Sequence, residues 1–208
     1  MKLSFPSKMP CASVGLPAII SCVTGAKLAQ TVGSVCRSCY ATKGNYRLAN
    51  VQKPRRANLK ELQKALKTPK GRNKWVISMA GAILETSQPH FRWHDSGDIL
   101  SADHLMMIVA VCKITPSVKH WLPTREYKMV ADVLFDIGEL PENLNVRLSA
   151  HMIGRTLEPA TAQVTTSSVD AGVGWQCPAT HNPANEGKCK TCRACWDRNV
   201  GNIDYDKH

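Results

Sequence analysis

Residues 1–50 hold no sustained hydrophobic period. Gly15, Pro17, Gly25, Gly33 and Gly44 punctuate them, which predicts loops. The rhythm then becomes helical: Leu59, Leu62 and Leu66 form one apolar stripe, Lys60, Lys64 and Lys67 lie off it, and Pro54 suits the first turn. The Thr68-Pro69-Lys70-Gly71 run reads as the end of that helix. Beyond it the pattern alternates. Lys74–Ala80 (KWVISMA) reads as a buried strand and His90–Ser96 as a second. A helix follows over Ser101–Thr115, with Ser101 as N-cap. His120–Arg125 predicts a third strand, and Glu126–Ile137 a helix closed by Gly138. Asn145–His151 is a fourth strand and Gln163–Val169 a fifth.

Strands alternating with helices of this length predict parallel pairing and an α/β fold. The units are too few for an eight-fold barrel, so the expectation is a partial (β/α) barrel or an open parallel sheet. A chain of 208 residues suits one domain. It divides into a cysteine-rich loop region (1–50), a β/α core (51–170) and a cysteine-rich C-terminal segment (171–208).

Two features change this picture from a generic α/β domain to one with chemistry. The first is the strand ends. The second strand runs into Arg92, His94, Asp95, Ser96, Gly97 and Asp98, and the third into Arg125 and Glu126. The fourth carries Arg147, Ser149 and His151 on one side, because strand side chains alternate. Ligands of α/β folds bind beyond the carboxyl ends of the strands. These groups therefore predict a small-molecule pocket, with His94, Asp95, Arg125, Glu126 and His151 as reacting groups and Arg92, Ser96, Gly97, Asp98 and Arg147 as binding groups. The competing reading is a closed ion-pair network, such as Asp95 with Arg125.

The second feature is cysteine. Nine are present, about 4 % of the chain and too sparse for a disulfide scaffold. Cys177, Cys189, Cys192 and Cys195 read C-x11-C-x2-C-x2-C. Successive x2 spacings suit a [4Fe–4S] cluster better than zinc, which more often takes two separated C-x2-C pairs. Cys22, Cys36 and Cys39 form a second group and a second cluster site. Three ligands would leave one iron free for a small molecule. A fourth from Cys11 would close the site, but Cys11 is read as a bystander. Cys112 aligns with Leu105, Ile108 and Val109 on its helix and reads as core. His104 and His120, with Trp75, Trp93 and Trp121, read as packing residues.

The net charge is +11, and residues 43–74 hold eleven Lys and Arg against Glu61 alone. That block suggests a polyanionic partner such as nucleic acid, or else a solvated helix face. The start, MKLSFPSKMPC, shows no secretory pattern, and no run approaches about 18 apolar residues. The expectation is a cytoplasmic protein off the membrane, with reduced thiols.

GLPA at 15–18, CVTG at 22–25, GSVCRSCYATKGNY at 33–46, RWHDSGD at 92–98, LPTRE at 122–126, RLSAH at 147–151 and CRACWDRNV at 192–200 together resemble the phage "gene product 88" family. The resemblance covers nearly the whole chain. It implies a phage-encoded protein of the host cytoplasm and a distant likeness to radical-SAM partial barrels. Those enzymes bind a [4Fe–4S] cluster through C-x3-C-x2-C, and its unique iron binds S-adenosylmethionine. Cys36 and Cys39 match the last pair, while Cys22 lies ten residues further upstream than that pattern. Ser96-Gly97-Asp98 stands where such enzymes hold the methionyl amine. The expectation is an iron–sulfur protein with one or two clusters and redox or radical chemistry. Its partner is a small molecule or a redox partner, and its rivals are a zinc-stabilised nucleic-acid-binding module and an electron-transfer or structural cluster protein with no substrate.

Overall fold

A computed structural model describes residues 1–159 and 161–207. Its frame is a seven-stranded, all-parallel sheet in the order β1-β2-β3-β4-β5-β7-β6. The strands are β1 (Ser13–Val14), β2 (His90–Trp93), β3 (Lys119–Thr124), β4 (Leu144–Ser149), β5 (Val164–Val169), β6 (Trp175–Gln176) and β7 (Asn202–Tyr205). The sheet is open and does not close into a barrel. Among the described residues six α-helices accompany it: α1 (Val23–Leu28), α2 (Ala49–Leu66), α3 (Pro69–Glu85), α4 (Ala102–Ile114), α5 (Tyr127–Ile137) and the short α6 (Pro178–His181). None is long and apolar enough to cross a membrane.

β1 to β5 follow chain order across the sheet, so each right-handed crossover steps the same way and helices collect on one face. One core joins Leu62 of α2, Met79 of α3, Ile108 of α4 and Val133 of α5 to Phe91, Trp93, Leu122 and Val146 of the strands. The other face is covered by the C-terminal segment. Trp121 packs there with Cys11, Cys177, Cys195, Trp196 and Ile203. Alternation along β3 and β4 thus separates a helical side from a cysteine-rich side.

The expected strand at Lys74–Ala80 is helix. Trp75, Val76, Met79, Ala80 and Ile83 are its buried positions, a helical spacing that the seven residues KWVISMA are too short to reveal. Thr68 and Pro69 do not simply end α2. Thr68 Oγ1 accepts a hydrogen bond from Gly71 N and Pro69 opens α3, so two antiparallel helices stand where one helix and a strand were expected. Gly71 sits in that corner, where a Cβ would stand 2.7 Å from Ala65 O. Pro54 lies inside α2 rather than in its first turn.

The other expected elements form with shifted ends. Ser101 caps α4 through His104 N, and Gly138 closes α5 with φ +74°. β2 stops at Trp93 because His94 takes φ +52°. Cys112 is fully buried in the main core, as are His104 and His120 in the helical layer.

Candidate metal centre

The chain from Pro17 to Tyr46 folds over the carboxyl ends of β1 to β4, and its anchors are polar. Asp98, just past β2, is nearly enclosed. Its Oδ1 accepts from Thr124 Oγ1 (2.6 Å) and Ile99 N (2.8 Å), and its Oδ2 from Arg125 N (2.9 Å). Burial pushes its carboxyl up to about 6, against the opposing pull of those bonds. Glu126, past β3, reaches up to the loop. Thr24 N and Thr24 Oγ1 both donate to its carboxylate at 2.7 Å, which fixes the start of α1. Past β4, His151 O accepts from Val35 N (3.0 Å), and the His151 ring stacks on Tyr127 at 4.3 Å.

These anchors hold Cys22, Cys36 and Cys39. Cys22 precedes α1, and Cys36 and Cys39 flank one tight turn whose Cys39 N donates to Cys36 O. Cys22 Sγ and Cys36 Sγ both lie within 3.7 Å of the point where a Cβ on Gly25 would stand. Gly25 therefore leaves open the space the two sulfurs face. Burial raises the Cys22 thiol to about 12 and raises the Cys36 thiol too, with Asp98 and the neighbouring thiols adding to the rise and Arg125 opposing it at Cys36. A cation at this place would reverse that balance, since a coordinated thiol gives up its proton.

The second group lies on the helix-free face. Cys177, Cys195 and Cys11 are buried and Cys192 packs against them. Cys189 N donates to Lys8 O at 3.0 Å, which ties the N-terminal strand-lead to this segment. Cys11, expected as a bystander and considered only for the N-terminal group, thus sits with the C-terminal group. Cys189 is among the charges that raise its thiol, behind burial as the main cause. Cys195 Sγ lies 3.4 Å from Tyr205 Oη. Beside this group opens a cleft of about 740 Å³, lined by Cys189 and Cys192 with His90, Lys119, Lys190 and Arg193.

The expected strand-end groups therefore divide. Asp98, Arg125, Glu126 and His151 stand around the N-terminal thiols. Asp95 and Ser96 instead meet Arg55, which the sequence places in the basic block of 43–74 among its polyanion-facing residues and which is in fact buried. Arg55 Nη2 donates to Asp95 Oδ2 (2.8 Å) and Arg55 Nε to Ser96 Oγ (2.6 Å), so Asp95 pairs with Arg55 and not with Arg125. The signal existed: Arg55 lies on the stripe of Leu59, Leu62 and Leu66, the one basic residue of α2 on its apolar face. Ser96 Oγ also donates to Leu16 O, and a Cβ at Gly97 would meet Leu16 and Ser21. The Ser96-Gly97-Asp98 stretch spends its hydrogen bonds within the fold.

His94 turns toward the helices. Its ring lies edge-on to His104 at 5.3 Å, in an aromatic cluster continued by Trp75, Trp93 and His120. Arg147 is fully buried beneath the C-terminal segment and donates to Thr166 O (2.6 Å), Val200 O (3.1 Å), Ala194 O (3.3 Å), and Gly201 O and Asp197 O (3.4 Å each). Arg92 spans the two thiol groups. Its guanidinium lies 4.5 Å over the Trp121 ring, with Nη1 to Met9 Sδ at 3.0 Å and Nη2 to Tyr40 Oη at 3.4 Å.

Residues 2–198 match the family model described as Gene product 88. The chain belongs to the gene product 88 family. No curated protein and no solved structure matches it.

Among the described residues, no three His, Cys, Asp or Glu side chains converge as they would on one metal ion. The donor set is nonetheless all thiol, and its surroundings are cationic. Arg92, Arg125 and Arg147 each bury an Nε with no hydrogen-bond partner. Among the described residues none of the three has a carboxylate within ion-pair reach. Arg125 acts on Cys36, Arg92 on Cys11 and Cys189, and Arg147 on Cys195.

Proposed function

We propose that this gene product 88 protein is an iron–sulfur protein. One [4Fe–4S] cluster would be held by Cys177, Cys189, Cys192 and Cys195. A second would be held by Cys22, Cys36 and Cys39 at the carboxyl ends of the strands. The observation that carries the reading is the set of three arginines beside the thiols, each with an orphaned Nε and no carboxylate. Arg147 is fully buried, with backbone carbonyls alone as its partners, and Arg92 and Arg125 are half-buried; a thiolate-bound cluster is an anion that would offset their charge. Thiols that stand apart also suit a cluster, whose cysteines bind different irons, better than a single tetrahedral zinc.

A cluster supplies one-electron chemistry when bound, and the chain's own residues set where that chemistry acts. Three thiols at the strand ends leave one iron for an outside ligand. Arg125 offers a cation there, Asp98 and Glu126 brace the loop, and the Tyr127–His151 stack walls one side. A small molecule, S-adenosylmethionine among the candidates, would be met by these groups. The C-terminal site, open on its cleft, faces a redox partner.

The test is anaerobic purification with iron, followed by quantification of iron, sulfide and zinc and by paramagnetic resonance. About eight irons per chain support both clusters. Cys36→Ser and Cys192→Ser should each remove about half. Protein with stoichiometric zinc and no acid-labile sulfide overturns the proposal.

A further inference from the structure

Helix α2 turns two unlike faces outward and inward. Its inner face holds Leu59 and Leu62 in the core and Arg55 against Asp95. Its outer face carries Lys53, Arg56, Lys60, Lys64 and Lys67, all exposed and spaced by three or four residues, so they form one row. At 1.5 Å per residue the row is about 21 Å long. Lys43 and Arg47 before the helix, and Lys70 and Lys74 on α3, are exposed as well.

Nothing in the fold neutralises the row. None of its five residues makes an ion pair among the described residues, and Glu61, the helix's one acid, pairs with the N-terminal amine at 3.0 Å. Arg56–Lys60 and Lys60–Lys64 are like-charge i,i+4 pairs, which weaken a helix. A merely solvated face would mix the two signs. The helix exposes no large apolar side chain between its cations, so a lipid surface has nothing to bury there. It offers no aromatic ring for stacking unpaired bases either. A polyanion in water remains, and duplex nucleic acid, with one charge per about 1.7 Å of its axis, offers several phosphates to a row of this length.

We infer that the outer face of α2 docks on the phosphate backbone of duplex nucleic acid, without reading its sequence. This stands whether or not iron is bound. Docking there would set the strand-end site at a duplex, because Arg55 ties the opposite face of the same helix to Asp95 and Ser96.

The experiment is fluorescence anisotropy of the full chain on two unrelated 20-base-pair duplexes across a salt series. Five phosphate contacts give a log–log slope near −4.5, or about 500-fold weaker binding from 50 to 200 mM salt, alike for both sequences. Replacing Lys53, Arg56, Lys60 and Lys64 by Gln should weaken binding more than tenfold at 50 mM and bring the slope to about −1. Replacing Lys113, Lys128, Lys188 and Lys207 by Gln removes as much charge elsewhere and should leave both intact. Circular dichroism confirms that each variant folds. No binding at 50 mM salt, equal losses in the two variants, or binding to anionic vesicles but not to duplex would each overturn the inference.

Discussion

Arg147→Met tests whether the buried arginine braces the C-terminal segment. Methionine keeps most of the length, so the change removes charge and donors rather than volume. Three of the five carbonyls that Arg147 serves lie within 3.3 Å, on Thr166, Val200 and Ala194. A hydrogen bond from a charged donor is worth roughly 1.5–3 kcal/mol net, and relief of the buried guanidinium's desolvation returns part of the loss. The expected destabilisation is about 3–5 kcal/mol. At ~2–4 °C per kcal/mol for a chain of this size, the midpoint falls by roughly 6–20 °C. Urea unfolding of reduced, metal-free protein measures this without linkage to bound metal. Reconstituted with iron, the variant should lose the C-terminal cluster and keep the strand-end one. A stability change under about 1 kcal/mol, or iron lost equally from both sites, would refute the reasoning.

Gly25→Ala places a Cβ 2.9 Å from Cys22 Cβ and 3.5 Å from Cys36 Sγ, although alanine suits a helix better. Iron content should fall by about half with little change in melting, and an unchanged content would count against the N-terminal site. Cys11→Ser should perturb the resonance of the C-terminal cluster and leave the other's spectrum alone; the reverse pattern would return Cys11 to the N-terminal group. Burial holds the His94 imidazole down to about 3, His120 down to about 4, and His104 well below its usual value. The unfolded chain takes these protons near pH 6.5 while the folded chain refuses them, so stability is lost as pH falls below about 6.5. Each histidine costs about 1.4 kcal/mol from pH 7.5 to 5.5, so His120→Gln should flatten that fall by about this amount; parallel curves for variant and parent would refute it.

The sheet's centre was legible because β4 alternates apolar and polar positions and α4 and α5, which flank β3, carry Ser101 and Gly138 at their ends. α3 was misread because seven residues of mixed apolar character do not fix a period. β1 is two residues long, and β7 (NIDY) buries Asp204, whose carboxylate accepts from Ser168 Oγ, Ala171 N and Gly172 N. A strand stabilised by such polar bonds leaves no hydrophobic signature. The cysteine groups were visible as spacing, but spacing is blind to what folds together, and Cys11 joins Cys177 across the whole sheet. Arg147 was placed on the correct side of β4 by alternation alone. What met it there was backbone carbonyl, which no side-chain pattern announces.

The two thiol groups are not independent features at opposite ends of a chain. β1 brings Cys11 to the sheet edge, β2 places Arg92 beside it, and the loop carrying Cys39 sets Tyr40 over the same arginine, where Tyr40 Oη also donates to Asp95 O at 2.6 Å. Arg92 is thus the residue through which the N-terminal thiol loop and the C-terminal group meet. Among the described residues its guanidinium has no carboxylate within ion-pair reach, and it lies over Trp121. Were a cluster held at each site, a cation so placed would favour electrons on either and would couple the two, since reducing one would use part of the stabilisation the arginine offers the other. Arg92→Met should therefore lower both reduction potentials while leaving both iron counts intact. A variant that lost iron from one site alone would assign Arg92 to that site and dissolve the link.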